Sequence, residues 1–418
     1  MGKLLKIIFF SIFTIILLII VGLIAVVLLS GDSSKDEFDT TAEYRSFETI
    51  IGEDLSSSLT TIKETNYNED NNKITIKITE EELNNYLVSL IRENINSEYL
   101  ISNEYVKEAY GIRLNSLFFH MEGDVLSAKF RVDILNVYKT SLTLAAKISI
   151  DENRILNLEL VHAKLGKGTI TITTNFVKNS IKKLKLKFNE TAQFDPNTFT
   201  FKFDINKILE ENCKDELLSL MIKNCPYDVF VSDSKLNLVI DTKDLFMDEQ
   251  AIDTATASTL EAKKLEAKAL AEASLSHDYS LTITENEFNY MIQTAINESI
   301  SSFEKNLTIG NSNIKLQIKK MYLHFDNFNI KSNLYTNDCA TPLDISFELV
   351  PIKLGEYVNS IYIKPGSKKL GNINATDSLD IFTIPPIPLD TIGFEDMNIS
   401  DINVNKTDKT VTFTGVLK

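Results

Sequence analysis

Of the four histidines in this 418-residue chain, two stand in company that could do chemistry. His120 opens "HMEGD", with Glu122 and Asp124 following, and His324 opens "HFD", with Asp326 following. On a strand alternate residues share a face, so each histidine could offer a cation one nitrogen and one or two carboxylates. The same spacing also describes the polar face of a half-exposed strand. That second reading is preferred, because no further His or Cys lies close enough to complete a ligand set. A metal-dependent enzyme is therefore a distant third expectation, and no metal or cofactor is expected. There is no G-x-S-x-G elbow, no H-E-x-x-H and no glycine-rich phosphate loop before a helix, so the chain is read as a non-enzyme.

A second chemistry-bearing stretch is "VKNSIKKLKLKF", a basic cluster in an acidic chain (43 Lys+Arg against 58 Asp+Glu, net −15). Lys183, Lys185 and Lys187 alternate with Leu184, Leu186 and Phe188, giving a strand with one charged and one apolar face. With Lys182 they could touch anionic head groups or teichoic acid polymers. The alternative is a solvated edge strand blunted by lysine, and it is the stronger of the two. The overall negative charge excludes nucleic acid as a partner. Cys213 and Cys225 are close enough in sequence for a disulfide, leaving Cys339 over; three buried thiols are an equal alternative.

The elements that would position these residues come in two copies. "KITEEELNNYL" begins at Lys77 and "TITENEFNYMI" at Thr282, 205 positions later. Each is a helix start with a capping box, Thr79 with Glu82 and Thr284 with Glu287. Each has a staple across the cap, Ile78 with Leu83 and Ile283 with Phe288. Glu80 and Glu285 place negative charge in the first turn, where the helix dipole favours it. Behind each cap the apolar residues fall on one helical face, Leu83, Leu87, Leu90 and Ile91 in the first copy, Phe288, Ile292, Ile296 and Ile300 in the second. Downstream the echo continues. "SLFFH" ending at His120 matches "KMYLH" ending at His324, "TSLTL" from Thr140 matches "TPLDI" from Thr341, and "KLG" occurs at Lys164 and at Lys369. Between them run alternating segments that read as antiparallel strands with one buried face.

The expected fold is α+β. Residues 1–30 hold a cytoplasmic start and an anchor, 31–69 a polar stalk, 70–247 and 278–418 two modules of one long helix on a curved antiparallel sheet, and 248–277 a helical linker. The anchor is Ile7–Leu29, 23 uncharged residues with Lys3 and Lys6 before it and acids crowded after it. That length spans a bilayer, and the charge bias places the N-terminus in the cytoplasm and the rest outside. The apolar run is longer than a cleaved signal peptide requires. Residues 248–277 are rich in Ala, Glu and Lys, a composition for a semi-rigid helical spacer. Pro385, Pro386 and Pro388 exclude "FTIPPIPLD" from the centre of a sheet.

These features resemble the YpmS-type proteins, membrane-anchored extracytoplasmic proteins of Gram-positive bacteria. The residues that carry the resemblance are "TEEELN" (Thr79–Asn84), "NLELVHAKLGKGTITI" (Asn157–Ile172) and the ending Ile387–Gly415. A helix cradled by a curved sheet also resembles tubular lipid-binding modules, which hold acyl chains between the two. The resemblance implies a membrane-anchored protein that binds membrane lipid or a lipid-linked envelope polymer, with the apolar helix faces as ligand surface. The same faces suit an ordinary core. The rival expectation is accordingly a scaffold for a cell-envelope enzyme, with solid cores and no ligand.

Overall fold

The computed structural model describes residues 45–86, 112–134, 138–166, 192–195, 198, 200–204, 221, 223–257, 259–375 and 384–418. The anchor Ile7–Leu29, the basic cluster Lys182–Lys187, Cys213, and Leu87, Leu90 and Ile91 lie outside them. No helix among the described residues is long and apolar enough to cross a membrane. The fold is α+β, with mostly antiparallel sheets. It divides into two compact units, one drawn from Met1–Leu55, Ile74–Asp241 and Ile309–Ser312, the other from Ser56–Lys73, Thr242–Thr308 and Asn313–Lys418.

Among the described residues unit 1 contains two sheets. In the three-stranded sheet β1 (Lys73–Thr79) lies beside β9 (Lys235–Asp241), and β9 beside β8 (Tyr227–Ser232). Alternation in β1 buries Ile74, Ile76 and Ile78 and turns Lys73 and Lys77 outward. β1 runs directly into a helix that opens at Glu80 and is described as far as residue 86. The six-stranded sheet is a meander of β2 (Ile112–Glu122), β3 (Val125–Ile134), β4 (Tyr138–Ile150) and β5 (Ile155–Leu165), extended by β7 (Thr200–Asp204) and β6 (Ala192–Asp195). One face of this meander buries Phe119, Met121, Ala128, Leu144, Leu158 and Ala163. The β2–β3 turn is tight at Gly123, whose φ of +61° suits a residue without a side chain.

Unit 2 holds a ten-stranded sheet. Its main path runs β10 (Asp278–Thr284), β19 (Thr410–Leu417), β18 (Met397–Asn405), β15 (Tyr357–Leu370), β14 (Cys339–Leu354), β13 (Asn329–Thr336), β12 (Ser312–His324) and β11 (Lys305–Ile309). Strict alternation in β10 buries Tyr279, Leu281 and Ile283. Among its described residues the proline-rich segment forms the two-residue β17 (Ile387–Pro388) against β15, followed by a 3-10 turn at Leu389–Ile392.

Two expectations are corrected here. The single long helix of the second copy is two helices, α3 (Glu285–Met291) and α4 (Gln293–Phe303), jointed at Ile292 with φ −92° and ψ 5°. The Ala-, Glu- and Lys-rich segment is helical over Leu260–Ala273 (α2, following α1 at Phe47–Glu64), and it is no spacer. Leu260, Ala267 and Ala271 are buried where α2 packs on β10 and β19, so its small-residue face serves close packing within unit 2.

Candidate functional site

Each capping box forms. Thr79 N–H donates to Glu82 Oε2 at 2.9 Å and Glu82 N–H to Thr79 Oγ1 at 3.2 Å. Thr284 and Glu287 repeat the exchange at 2.8 and 3.3 Å. Each box glutamate also receives a cation from outside the motif. Arg45 Nε donates to Glu82 Oε1 at 2.7 Å, and Lys263 Nζ to Glu287 Oε2 at 2.6 Å, with the Thr259 hydroxyl donating to the other oxygen of Glu287. Burial by itself would raise the Glu287 pKa. The bonds from Lys263, Thr259 and Thr284 outweigh burial and hold it at about 2.

The two asparagines that follow the boxes tie their helices to the histidine strands. In unit 1 Asn84 donates to the carbonyls of Glu80 and Phe119, both at 2.8 Å, and accepts from Phe119 N–H at 2.7 Å. In unit 2 Asn289 makes the same three bonds with Glu285 and Leu323, at 2.9, 2.8 and 2.9 Å. The first-turn glutamates then reach past the histidines. Glu80 Oε2 accepts from Met121 N–H at 2.7 Å and Glu285 Oε2 from Phe325 N–H at 2.6 Å. Their other oxygens lie 3.2 Å from His120 Nδ1 and 3.3 Å from His324 Nδ1. Even the tilted ring contact recurs, Phe118 with His120 at 4.6 Å and Tyr322 with His324 at 4.9 Å between ring centroids.

This arrangement explains the paired histidines. β2 ends at Glu122 and β12 at His324, so Asp124 and Asp326 lie beyond the strands and do not share a face with the histidines. Asp124 pairs with Lys147 at 2.7 Å and Asp326 with Lys409 at 2.8 Å. Among the described residues no three His, Cys, Asp or Glu converge on a point that could hold a metal ion. Cys225 and Cys339 are both buried. Burial pushes the Cys339 thiol up to about 11, and its Sγ donates to Leu59 O at 3.0 Å.

The apolar helix faces divide between the units. Phe288, Ile292 and Ile296 are each 0% exposed, and Phe288 meets Phe325 edge-on at 5.3 Å. Ile300 is half-buried, and Leu83 is buried beside its cap.

A groove lies on the face of the unit 1 meander opposite Phe119, Ala128, Leu144 and Ala163. Its volume is about 830 Å³, and it is lined by Glu80, His120, Glu122 and Val125, by Ser127, Lys129, Ser141 and Thr143, and by Ala145, His162, Lys164 and Gly166. Strand registry sets these side chains in rows, His120–Ser127–Ala145–His162 in one and Lys129–Thr143–Lys164 in the next. Small residues form the floor and His, Lys and Glu the walls. The sequence singled out His120 but not this groove. Its floor of Ser, Thr, Ala and Gly reads as unremarkable strand until register aligns it. No family model and no curated protein matches the chain. The solved crystal structure of a lipopolysaccharide binding protein aligns with 83% of this chain and 99% of its own at 9% identity, with a TM-score of 0.19, too low to establish a common fold.

Proposed function

We propose that the chain is a non-enzymatic, single-pass membrane protein built from two related α+β modules, and that it binds the polar end of a lipid or lipid-linked polymer outside the cytoplasm. The observation that carries this reading is the unit 1 groove. At about 830 Å³ it falls in the size range of small-ligand sites, and its walls offer ammonium, imidazole and hydroxyl groups to a polar head. The uncharged run Ile7–Leu29, with lysines before it and acids after it, supports the anchor and its orientation. The recurrence of the Glu, His and Asn bonds 204 to 205 positions apart supports the common origin of the modules. Leu83, Leu87, Leu90 and Ile91 are the apolar surface this reading assigns to a lipid chain, with Lys182, Lys183, Lys185 and Lys187 as additional head-group contacts.

Native mass spectrometry of the full chain released from membranes tests it directly. Copurified lipid or polymer is expected, and a wild-type protein free of both would contradict binding. Unit 2 favours a second role. The closed packing around Phe288, Ile292 and Ile296 suits a solid scaffold, whose partner would be an envelope enzyme.

A further inference from the structure

On unit 2 the face that corresponds to the groove is crossed by the chain itself. Registry and the recurring sequence place His324, Lys331 and Lys369 where unit 1 has His120, Lys129 and Lys164. At one end of the groove Gly166 N–H donates to Ser141 O at 2.8 Å, and in unit 2 Gly371 N–H donates to Pro342 O at 2.7 Å. Against this second contact lies Asp244, whose carbonyl accepts from Asn372 N–H at 2.7 Å. A side-chain carbon on Gly371 would stand 2.4 Å from the same oxygen, so the close approach requires a glycine, and φ +55° suits one.

From the end of β15 the chain passes β14, β13 and β12, with no helix or strand of its own over residues 248–257. Met247 N–H donates to Ala340 O on β14 at 3.1 Å. Gln250 is the main fastening. Its N–H donates to Asn333 Oδ1 at 3.1 Å, and its carbonyl accepts from Asn333 Nδ2 at 2.9 Å. Its side-chain amide donates to Ser332 O at 2.6 Å and to Leu343 O at 3.1 Å, bridging β13 and β14. Burial first, then Glu285 and Asp253, push the Tyr322 hydroxyl up to about 12, which sets Asp253 near β12. Thr256 then fastens to the start of α3. Its N–H donates to Asn286 Oδ1 at 3.0 Å, and its carbonyl and hydroxyl accept from Asn286 Nδ2, both at 2.9 Å.

Alternation puts Asn333 and Tyr335 on the strand face of Lys331, and Tyr322 on that of His324. Asn333, Tyr335 and Tyr322 are all buried, although Ile330 and Leu334 turn the other face of β13 to the core. The His324 side chain is 15% exposed, against 39% for His120. No described residue between Asp248 and Ala257 is itself buried, and its bonds run largely through two side-chain amides, the profile of a segment that opens locally. We propose that residues 248–257 are a lid over a second site on unit 2, the counterpart of the unit 1 groove, so that the chain carries one open and one closed site for the same polar lipid end. This second site rests on the binding reading above. A lid that is mostly closed lowers apparent affinity by the fraction of time it is open, so loosening it raises binding at unit 2 alone.

The test uses the full chain in membranes, with Gln250→Ala and Asn286→Ala made singly and together. Hydroxyl-radical labelling of Tyr322 and Tyr335 reports the lid and needs no ligand. Labelling by a head-group-labelled photoreactive phosphatidylglycerol reports the site. In wild type both tyrosines should be protected, and the photolabel should fall largely on residues 120–166. In the double variant tyrosine labelling and photolabelling of residues 324–371 should each rise at least about threefold, with residues 120–166 unchanged. The Asn286 bonds lie at the surface, so Asn286→Ala decides the matter if the Gln250 change unfolds unit 2. It should move both readouts in the same direction, and no movement would overturn the lid. Unchanged tyrosines in a folded double variant would do the same. Opened tyrosines with photolabel still confined to residues 120–166 would overturn the second site and leave the unit 1 reading standing. Photolabel on neither unit in any variant would sink the binding reading and the second site with it.

Discussion

Unit 1 and unit 2 use the same five polar residue types, with an aromatic neighbour, to fasten a helix start to a strand, and then diverge on the neighbouring sheet face. Thr79, Glu80, Glu82, Asn84 and His120 with its aromatic neighbour Phe118 have counterparts in Thr284, Glu285, Glu287, Asn289, His324 and Tyr322. The fastening is a matter of stability, because it satisfies the first-turn N–H groups and the backbone of a buried strand end. On that face Thr143 of unit 1 stands where unit 2 has Asp344. The bonds that recur in the two units mark what fastens each helix start. A contact present in both belongs to the framework.

The comparison is broken most severely at the asparagines. Asn289→Ala would orphan the N–H and C=O of Leu323, which is fully buried, at a cost of about 2–6 kcal/mol for the two groups. Asn84→Ala should do the same at Phe119. Denaturant unfolding of the full chain measures both, and a large loss at one site with none at the other would show that the framework is not shared.

Acid should act next. The Glu287 pKa is depressed from 4.5 to about 2 in the folded state, and its side chain is 2% exposed. A depressed carboxylate contributes stability above its unfolded value, and that contribution disappears as pH falls through the folded value. About 3 kcal/mol should therefore be lost between about pH 5 and pH 2. Hydrogen exchange in peptides covering residues 285–303 reports it, and Glu287→Gln should flatten the dependence. Unchanged acid sensitivity in that variant would mean that the Lys263 and Thr259 bonds do not hold the carboxylate.

Much of the framework was legible in the sequence. The capping boxes and staples were readable because they are short-range, set by spacings of three and five residues. The strands after His120 and His324 were readable from alternation. The partners of the box glutamates were not: Arg45 and Lys263 lie 37 and 24 positions away, in segments read as stalk and spacer. α2 was misread for a physical reason. Its Leu260, Ala267 and Ala271 face is narrow, while Leu265 and Leu270 are exposed, so its composition resembles a solvated helix. The groove escaped because its residues come from four strands and share no local pattern. The exchange of Thr for Asp within the aligned pentapeptides was visible, but only register shows that each sits between two lysines.

Smaller effects sharpen the same contrast. Thr79→Ala and Thr284→Ala should each cost about 0.5–2 kcal/mol through loss of an N-cap, measured by the same unfolding experiment. Equal costs would support one framework, and no cost at either site would mean that the boxes contribute nothing. The Cys339 thiol, raised to about 11 by burial, should resist alkylation at neutral pH in the folded protein and react once it is unfolded.

The central claim is that unit 1 binds and unit 2 does not. Photo-crosslinking tests it most directly: membranes holding the full chain are irradiated with a head-group-labelled photoreactive phosphatidylglycerol, and adducts are mapped by peptide mass spectrometry. The account predicts adducts on β2 to β5, in peptides spanning residues 120–166, and far fewer on β12 to β15, in peptides spanning 324–371. Equal labelling of both sets, or labelling of the second alone, would contradict it.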